Sequence, residues 1–221
     1  VPLLQNGQHR VYHLGFPDGV PEGSALHDQL AAFMDNVDPA ALPGAGTGSA
    51  APLRGVLDGL RAIKSDEEMT ALRRAIDITT EAHREVMQQV QAGWAEYEIE
   101  ALVEYTFKRN GSEQPGFNSI VGSGENSTIL HYMTNRRVTE PGDVVVIDIG
   151  AEVHGYSADV TRTIPVSGTY SPEQRAIYEL VYRAQEAGIR ATRAGNPFFA
   201  SDNEASRVLA EGLAELGLIS S

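Results

Sequence analysis

The chain has 221 residues and a formal net charge of −13, with 42% apolar residues, 21% charged residues and no cysteine. Such a length supports one good-sized core with a small appendage, and the missing cysteine excludes a disulfide framework and thiol chemistry. The acidic balance, without a basic stripe among aromatics, argues against nucleic acid as a partner. No apolar run approaches the ~18 residues that a membrane span needs.

The N-terminal Val-Pro-Leu-Leu-Gln-Asn has no basic segment followed by a long apolar stretch, so no signal peptide is read there and a cytoplasmic location is expected. Residues 1–60 alternate short apolar pieces with turn formers, as in GFPDGVPEG and LPGAGTGSAAPL, and read as a shortened domain remnant and linker. At Ser65-Asp66-Glu67-Glu68 the character changes to a capping box. Met69, Leu72, Ile76, Thr79, Ala82, Val86 and Val90 follow at three- and four-residue steps, which predicts an amphipathic helix ended by Gly93. A second helix is predicted from Glu96 to Arg109, stopped by Asn110-Gly111, and then a loop-rich region with short β-type pieces. Two strands come next. Ser171 then caps a third helix with Pro172 in its first turn. Ser201 or Asp202 caps a fourth, with Val208, Leu209, Leu213 and Leu216 as its apolar stripe. Two helix pairs around one set of strands suggest a duplicated unit lacking its second set, whose sheet would keep an open edge.

The strands pose the chemical question, because the Val- and Ile-rich run from Val144 to Val166 carries Asp148 and Asp159. A turn centred between Val153 and His154 would place these two acids directly opposite each other. Val144, Val146 and Asp148 share one face and Val145, Ile147 and Ile149 the other, so the first strand reads as buried on both faces. Like charges facing each other on a buried ladder are destabilising unless a shared proton, an arginine or a metal compensates. Two hard cations ~3.5–4 Å apart would be held well by such carboxylates. A general acid and base pair is the other chemical reading. Either Asp could instead cap a turn or pair with Arg162, but strand parity puts Arg162 on the opposite face from Asp159. The facing pair therefore favours metal.

These residues lie in GDVVVIDIGAEVHGYSADVTRTIPVSG (142–168), preceded by FNSIVGSGENSTILHY (117–132) and IKSDEEMTALRRA. Together the three segments resemble the pita-bread metallopeptidases, which include aminopeptidase P, prolidase and methionine aminopeptidase, over about Ile63 to Leu218. The pairing of SGEN with LHY points to the proline-specific branch. The resemblance implies an α+β pita-bread fold, with this chain holding the N-terminal half to two-thirds of the catalytic domain over 61–221. It implies that Asp148 and Asp159 are two of five ligands of a dinuclear site, usually manganese, with cobalt or zinc as substitutes. His131 matches the family's active-site histidine, which hydrogen-bonds near the scissile carbonyl and the developing oxyanion. The implied activity is hydrolysis of an N-terminal X-Pro bond through metal-bound hydroxide, on a peptide with proline second, by a homodimer.

In the family, the remaining His and two Glu ligands and a second histidine lie downstream. The chain is therefore expected to be truncated before them and inactive unless another segment or polypeptide completes it. Phe117, where relatives carry Tyr or Phe, can offer no hydroxyl and reads as a packing or pocket residue. His9, His13, His27, His83 and His154 read as structural or surface residues. Glycine-rich GSGENS lacks the features of a phosphate loop, and no Gly-x-Ser-x-Gly elbow is present. Three rivals stay open: prolidase, a non-catalytic pita-bread binding module, and a metal-free creatinase-like hydrolase. Retention of both acids and His131 weighs against the last two.

Overall fold

The structure, a computed structural model, describes Tyr12–His13, Asp28, Ala51–Pro52 and residues 59–220. The chain divides into two compact units, Val1–Asp66 and Glu67–Ser221. In the first, β1 (Tyr12–His13) runs parallel to β2 (Ala51–Pro52). His9 and His27 and most of the proposed remnant lie outside the described residues.

The second unit opens with α1 (Asp66–Gln89) and α2 (Glu96–Arg109). The bounds of α2 are those predicted, and Asn110 is its C-cap, followed by Gly111 at φ 90°. In α1 the buried stripe differs from the predicted one. Ala71, Ala75, Ile78, Thr79, Ala82, His83 and Val86 face inward, whereas Met69 and Ile76 are 37% and 46% exposed. The inward face is built mostly from small residues, and its hydrogen bonds reach the strands from Thr79 to Ala151 and from His83 to Val160.

Two three-stranded sheets follow. One contains β3 (Gln114–Pro115), β6 (Ala151–Val153) and β7 (Tyr156–Ser157), with β6 central. The other contains β4 (Ile120–Ser123), β5 (Val144–Ile149) and β8 (Val160–Pro165), with β5 central. All pairings in both are antiparallel. Val145, Ile147 and Ile149 are fully buried among Ile78, Ala82 and Val86 of α1 and Ile99, Val103 and Phe107 of α2. Val144, Val146 and Asp148 on the other face are only half-buried. The expectation that β5 is buried on both faces is thus corrected, because the helices α1 and α2 contribute to the core of one face alone.

The third helix, α3 (Pro172–Ala191), begins as predicted. Ser171 Oγ accepts from Gln174 N–H at 3.2 Å and Gln174 Oε1 accepts from Ser171 N–H at 2.9 Å. The fourth, α4 (Ala200–Glu215), starts earlier than predicted: Phe199 is its N-cap, with no side-chain capping bond, and Ser201 and Asp202 lie inside the first turn. Its stripe at Val208, Leu209 and Leu213 is half-buried and Leu216 is exposed. The tightest approach is at buried Gly212, where an added Cβ would come within 2.1 Å of Leu180 Cδ1. A groove of about 500 Å3 runs between β8 and α3, lined by Thr161, Thr163, Tyr178 and Val181. Among the described residues, no helix is long and apolar enough to cross a membrane.

Candidate metal centre

Asp148 lies near the end of β5, and Asp159 lies in the gap between β7 and β8. The hairpin turn is centred between His154 and Gly155, not one residue earlier as the sequence suggested. Both residues are left-handed, at φ 54° and φ 79°, the geometry of a two-residue turn matched to strand twist. Asp148 consequently pairs with Thr161, and the directly facing Asp pair is corrected. The register differs by two residues, and a shift of two keeps every side chain on its face. Asp148 and Asp159 therefore remain on one face as diagonal neighbours. Thr161 Oγ1 donates to Asp148 Oδ1 at 2.7 Å.

The two carboxylates sense each other. Partial desolvation pushes the Asp159 carboxyl above the usual range, and the Asp148 charge and a hydrogen bond with Asp148 push it further. Among the described residues the ion pairs involve neither acid. Two carboxylates side by side, without an ion-pair partner among the described residues, fit hard divalent ions, whose ligands are oxygens. No cluster of three or more His, Cys, Asp or Glu suited to a metal occurs among the described residues. Among the described residues, the donors brought together here are these two acids.

A break in the hairpin sets this spacing. Gly150 separates β5 from β6, and Ala158 and Asp159 separate β7 from β8. An added Cβ on Gly150 would lie 1.8 Å from the Ala158 carbonyl oxygen and 2.9 Å from Phe117 Cε1. Only glycine admits that approach. Phe117 is thereby placed as a packing residue against the break.

His131 is exposed and left-handed at φ 54°, on the loop after a 3-10 turn over Gly124–Thr128. Two anchors fix this loop. The Asn135 side chain, 1% exposed, accepts from Val121 N–H at 3.1 Å and donates to Ser119 O at 2.8 Å, so it acts as a short strand partner for β4. Glu96 is the second. Its carboxylate is fully buried and accepts from Ser123 N–H and Oγ (2.7 Å each), Asn126 Nδ2 (3.2 Å), Tyr132 Oη (2.8 Å) and Arg137 N–H (2.9 Å). Burial by itself would raise its pKa, but the bonds from Ser123, Arg137 and Tyr132 hold it below the usual carboxylate range. Sequence reasoning placed Glu96 only as the start of a helix. Its signal, an acid at the positive end of a helix dipole, is shared with many surface residues. Ser123 and Asn126 of SGEN and Tyr132 of LHY all donate to this one carboxylate.

The remaining histidines divide. His154 is exposed at the hairpin tip, 3.0 Å from Glu113 Oε1. His83, in contrast, is 4% exposed, and its Nε2 lies 3.0 Å from the Val160 carbonyl oxygen beside Asp159.

The sequence profile of Metallopeptidase family M24 matches residues 70–218. The Xaa-Pro aminopeptidase of Escherichia coli (strain K12) is 41% identical over 166 residues, 75% of this chain and 38% of that protein. The Xaa-Pro dipeptidase of Homo sapiens is 38% identical over 165 residues, 72% of this chain and 34% of that protein. A variant of Escherichia coli aminopeptidase P solved in complex with substrate superposes with a TM-score of 0.82 at 33% identity, over 100% of this chain and 49% of that one. The chain belongs to Metallopeptidase family M24, and its α+β architecture is the pita-bread fold. It spans less than half the length of each of these relatives.

Proposed function

We propose that the protein is a metal-dependent aminopeptidase that hydrolyses the bond between an N-terminal residue and proline. The observation that carries this reading is the pair of neighbouring carboxylates on one face of the hairpin, Asp148 and Asp159, neither of them in an ion pair among the described residues. Relatives named Xaa-Pro aminopeptidase supply the substrate class. Residues 61–221 are the catalytic portion and residues 1–60 an N-terminal remnant with linker, a division supported by the family match at 70–218.

Asp148 and Asp159 would hold two divalent ions. An all-carboxylate pair suits manganese, with cobalt or zinc as substitutes. When bound, the ions supply an activated water and Lewis acidity at the carbonyl. Thr161 fixes the Asp148 rotamer through its bond to Oδ1. His131, on a loop stapled by Glu96 and Asn135, would hydrogen-bond the carbonyl oxygen where negative charge develops. Hard divalent ions take about six or more ligands, so a complete centre needs donors beyond these two acids. A homodimer and a cytoplasmic location rest on family likeness and on the cysteine-free composition.

Prolidase is the second reading, favoured by the 38% identity to the human Xaa-Pro dipeptidase. The test uses the protein with the missing donors supplied, manganese, an Xaa-Pro-Xaa tripeptide and an Xaa-Pro dipeptide. Cleavage of the tripeptide supports the aminopeptidase, and cleavage of the dipeptide alone supports prolidase. Asp148→Asn and Asp159→Asn each lower the rate at least about 100-fold. Undiminished cleavage by both variants would refute the reading.

A further inference from the structure

The break at Gly150 and Asp159 is held from outside the sheet. Thr79 and His83 lie one turn apart on the buried face of α1, at 0% and 4% exposure. Thr79 Oγ1 accepts from Ala151 N–H at 2.9 Å, and its own proton goes to Ala75 O at 2.8 Å. Ala158 N–H donates to Ala151 O at 3.0 Å, while the Ala151 amide turns away from the ladder to Thr79. One helical turn further on, His83 Nε2 meets Val160 O at 3.0 Å. A carbonyl only accepts, so Nε2 carries the proton, and His83 Nδ1 is left buried without a partner. A histidine whose one satisfied atom grips the backbone beside Asp159 is placed for that grip.

We propose that Thr79 and His83 are positioning residues that clamp both strands of the hairpin where its ladder opens, and so set the separation of Asp148 and Asp159. The physical need is plain. Asp159 lies outside any ladder strand, glycine stands opposite it, and Asp148 repels it. Without an external hold, the cheapest relief is for the two strands to part at Gly150. A helix is the stiffest element available, and two contacts at an i, i+4 spacing grip one strand each. Ala151 directly follows Gly150, and Val160 directly follows Asp159. This inference rests on the metal-binding reading of the two acids.

The test uses the isotopically labelled 221-residue chain, titrated with Mn2+ and followed by paramagnetic broadening of backbone amides. The amides of exposed Glu204 and Glu211 serve as the reference for nonspecific binding. Thr79→Val and His83→Leu remove the two contacts, whereas Thr79→Ser and His83→Gln keep a group able to make them. In the unaltered chain, Asp148 and Asp159 broaden together and before the reference. Thr79→Val and His83→Leu raise the Mn2+ midpoint about 10-fold, the effect expected of groups that orient ligands. They also speed exchange of the Ala151 amide while Val145 and Ile147 stay protected, and the conservative variants restore both readouts. Should His83→Leu unfold, the isosteric Thr79→Val variant carries the comparison. A midpoint unmoved by these substitutions in a folded chain overturns the clamp alone. Absence of selective broadening in the unaltered chain overturns the metal reading, and the clamp's purpose with it.

Discussion

Through its carboxylate, Glu96 gathers five donors that hold the loop carrying His131. Every group around its carboxylate is a donor, so an amide in its place would turn an NH2 toward donors on one side or the other. Glu96→Gln is expected to cost at least about 2 kcal/mol, from lost charge-assisted bonds and buried groups left unpaired. Urea denaturation measures the cost, and hydrogen exchange should show residues 121–137 opening while α3 and α4 are unchanged. His83 brings a pH dependence. Burial lowers its pKa from the ordinary 6.5; the Val160 carbonyl acts against that shift, as does Asp148 more weakly, while nearby Arg162 adds to it. The folded state therefore disfavours the proton that the unfolded state takes up. Stability attributable to His83 is complete above about pH 6.5 and is lost as pH falls toward the lowered folded value. His83→Gln should flatten the melting temperature between about pH 7.5 and about pH 5.5 relative to the unaltered chain. An equal slope in both would show that His83 does not titrate in this window.

At the level of elements, the hairpin illustrates how a small error in a turn leaves the chemistry legible. Alternation along the two arms of the hairpin places Asp148 and Asp159 on one face under either register, because faces repeat every two residues. The register itself depends on His154 adopting a left-handed conformation, which a non-glycine residue does only when its surroundings favour it. The break at Gly150 was likewise hidden, since a glycine in a strand pattern has several uses. Gly150→Ala would press a methyl group into the Ala158 carbonyl. It should cost about 1–3 kcal/mol and separate the two aspartates, a change that thermal melting and the amide shifts of Asp148 and Asp159 would both report. The α1 stripe was misjudged for a related reason: large apolar residues mark a face by hydrophobicity, yet small Ala75 and Ala82 lie on the buried one while Met69 and Ile76 are exposed.

At the scale of the catalytic unit, one face of the β4, β5 and β8 sheet is closed by α1 and α2, and the other carries half-buried Asp148, with exposed Asp159 beside it at the strand break. Two carboxylates form a weak, ungeometric site by themselves. Isothermal titration of the 221-residue chain with manganese should therefore show only weak binding, and an Xaa-Pro tripeptide should stay intact. Tight binding or turnover by this chain would mean that donors other than Asp148 and Asp159 complete the centre.

The family resemblance, the helix α2 to its end residues, the Ser171 cap and the shared face of the two acids were all carried by the sequence itself. Each depends on local spacing, on periodicity or on a dense run of motif residues. The tertiary structure alone decided the hairpin register, the close approach at Gly150, the gathering of SGEN and LHY around Glu96, and the reach of Thr79 and His83 to the strands. Those features join residues far apart in the chain through buried hydrogen bonds, and such partners have no fixed spacing from which to be read.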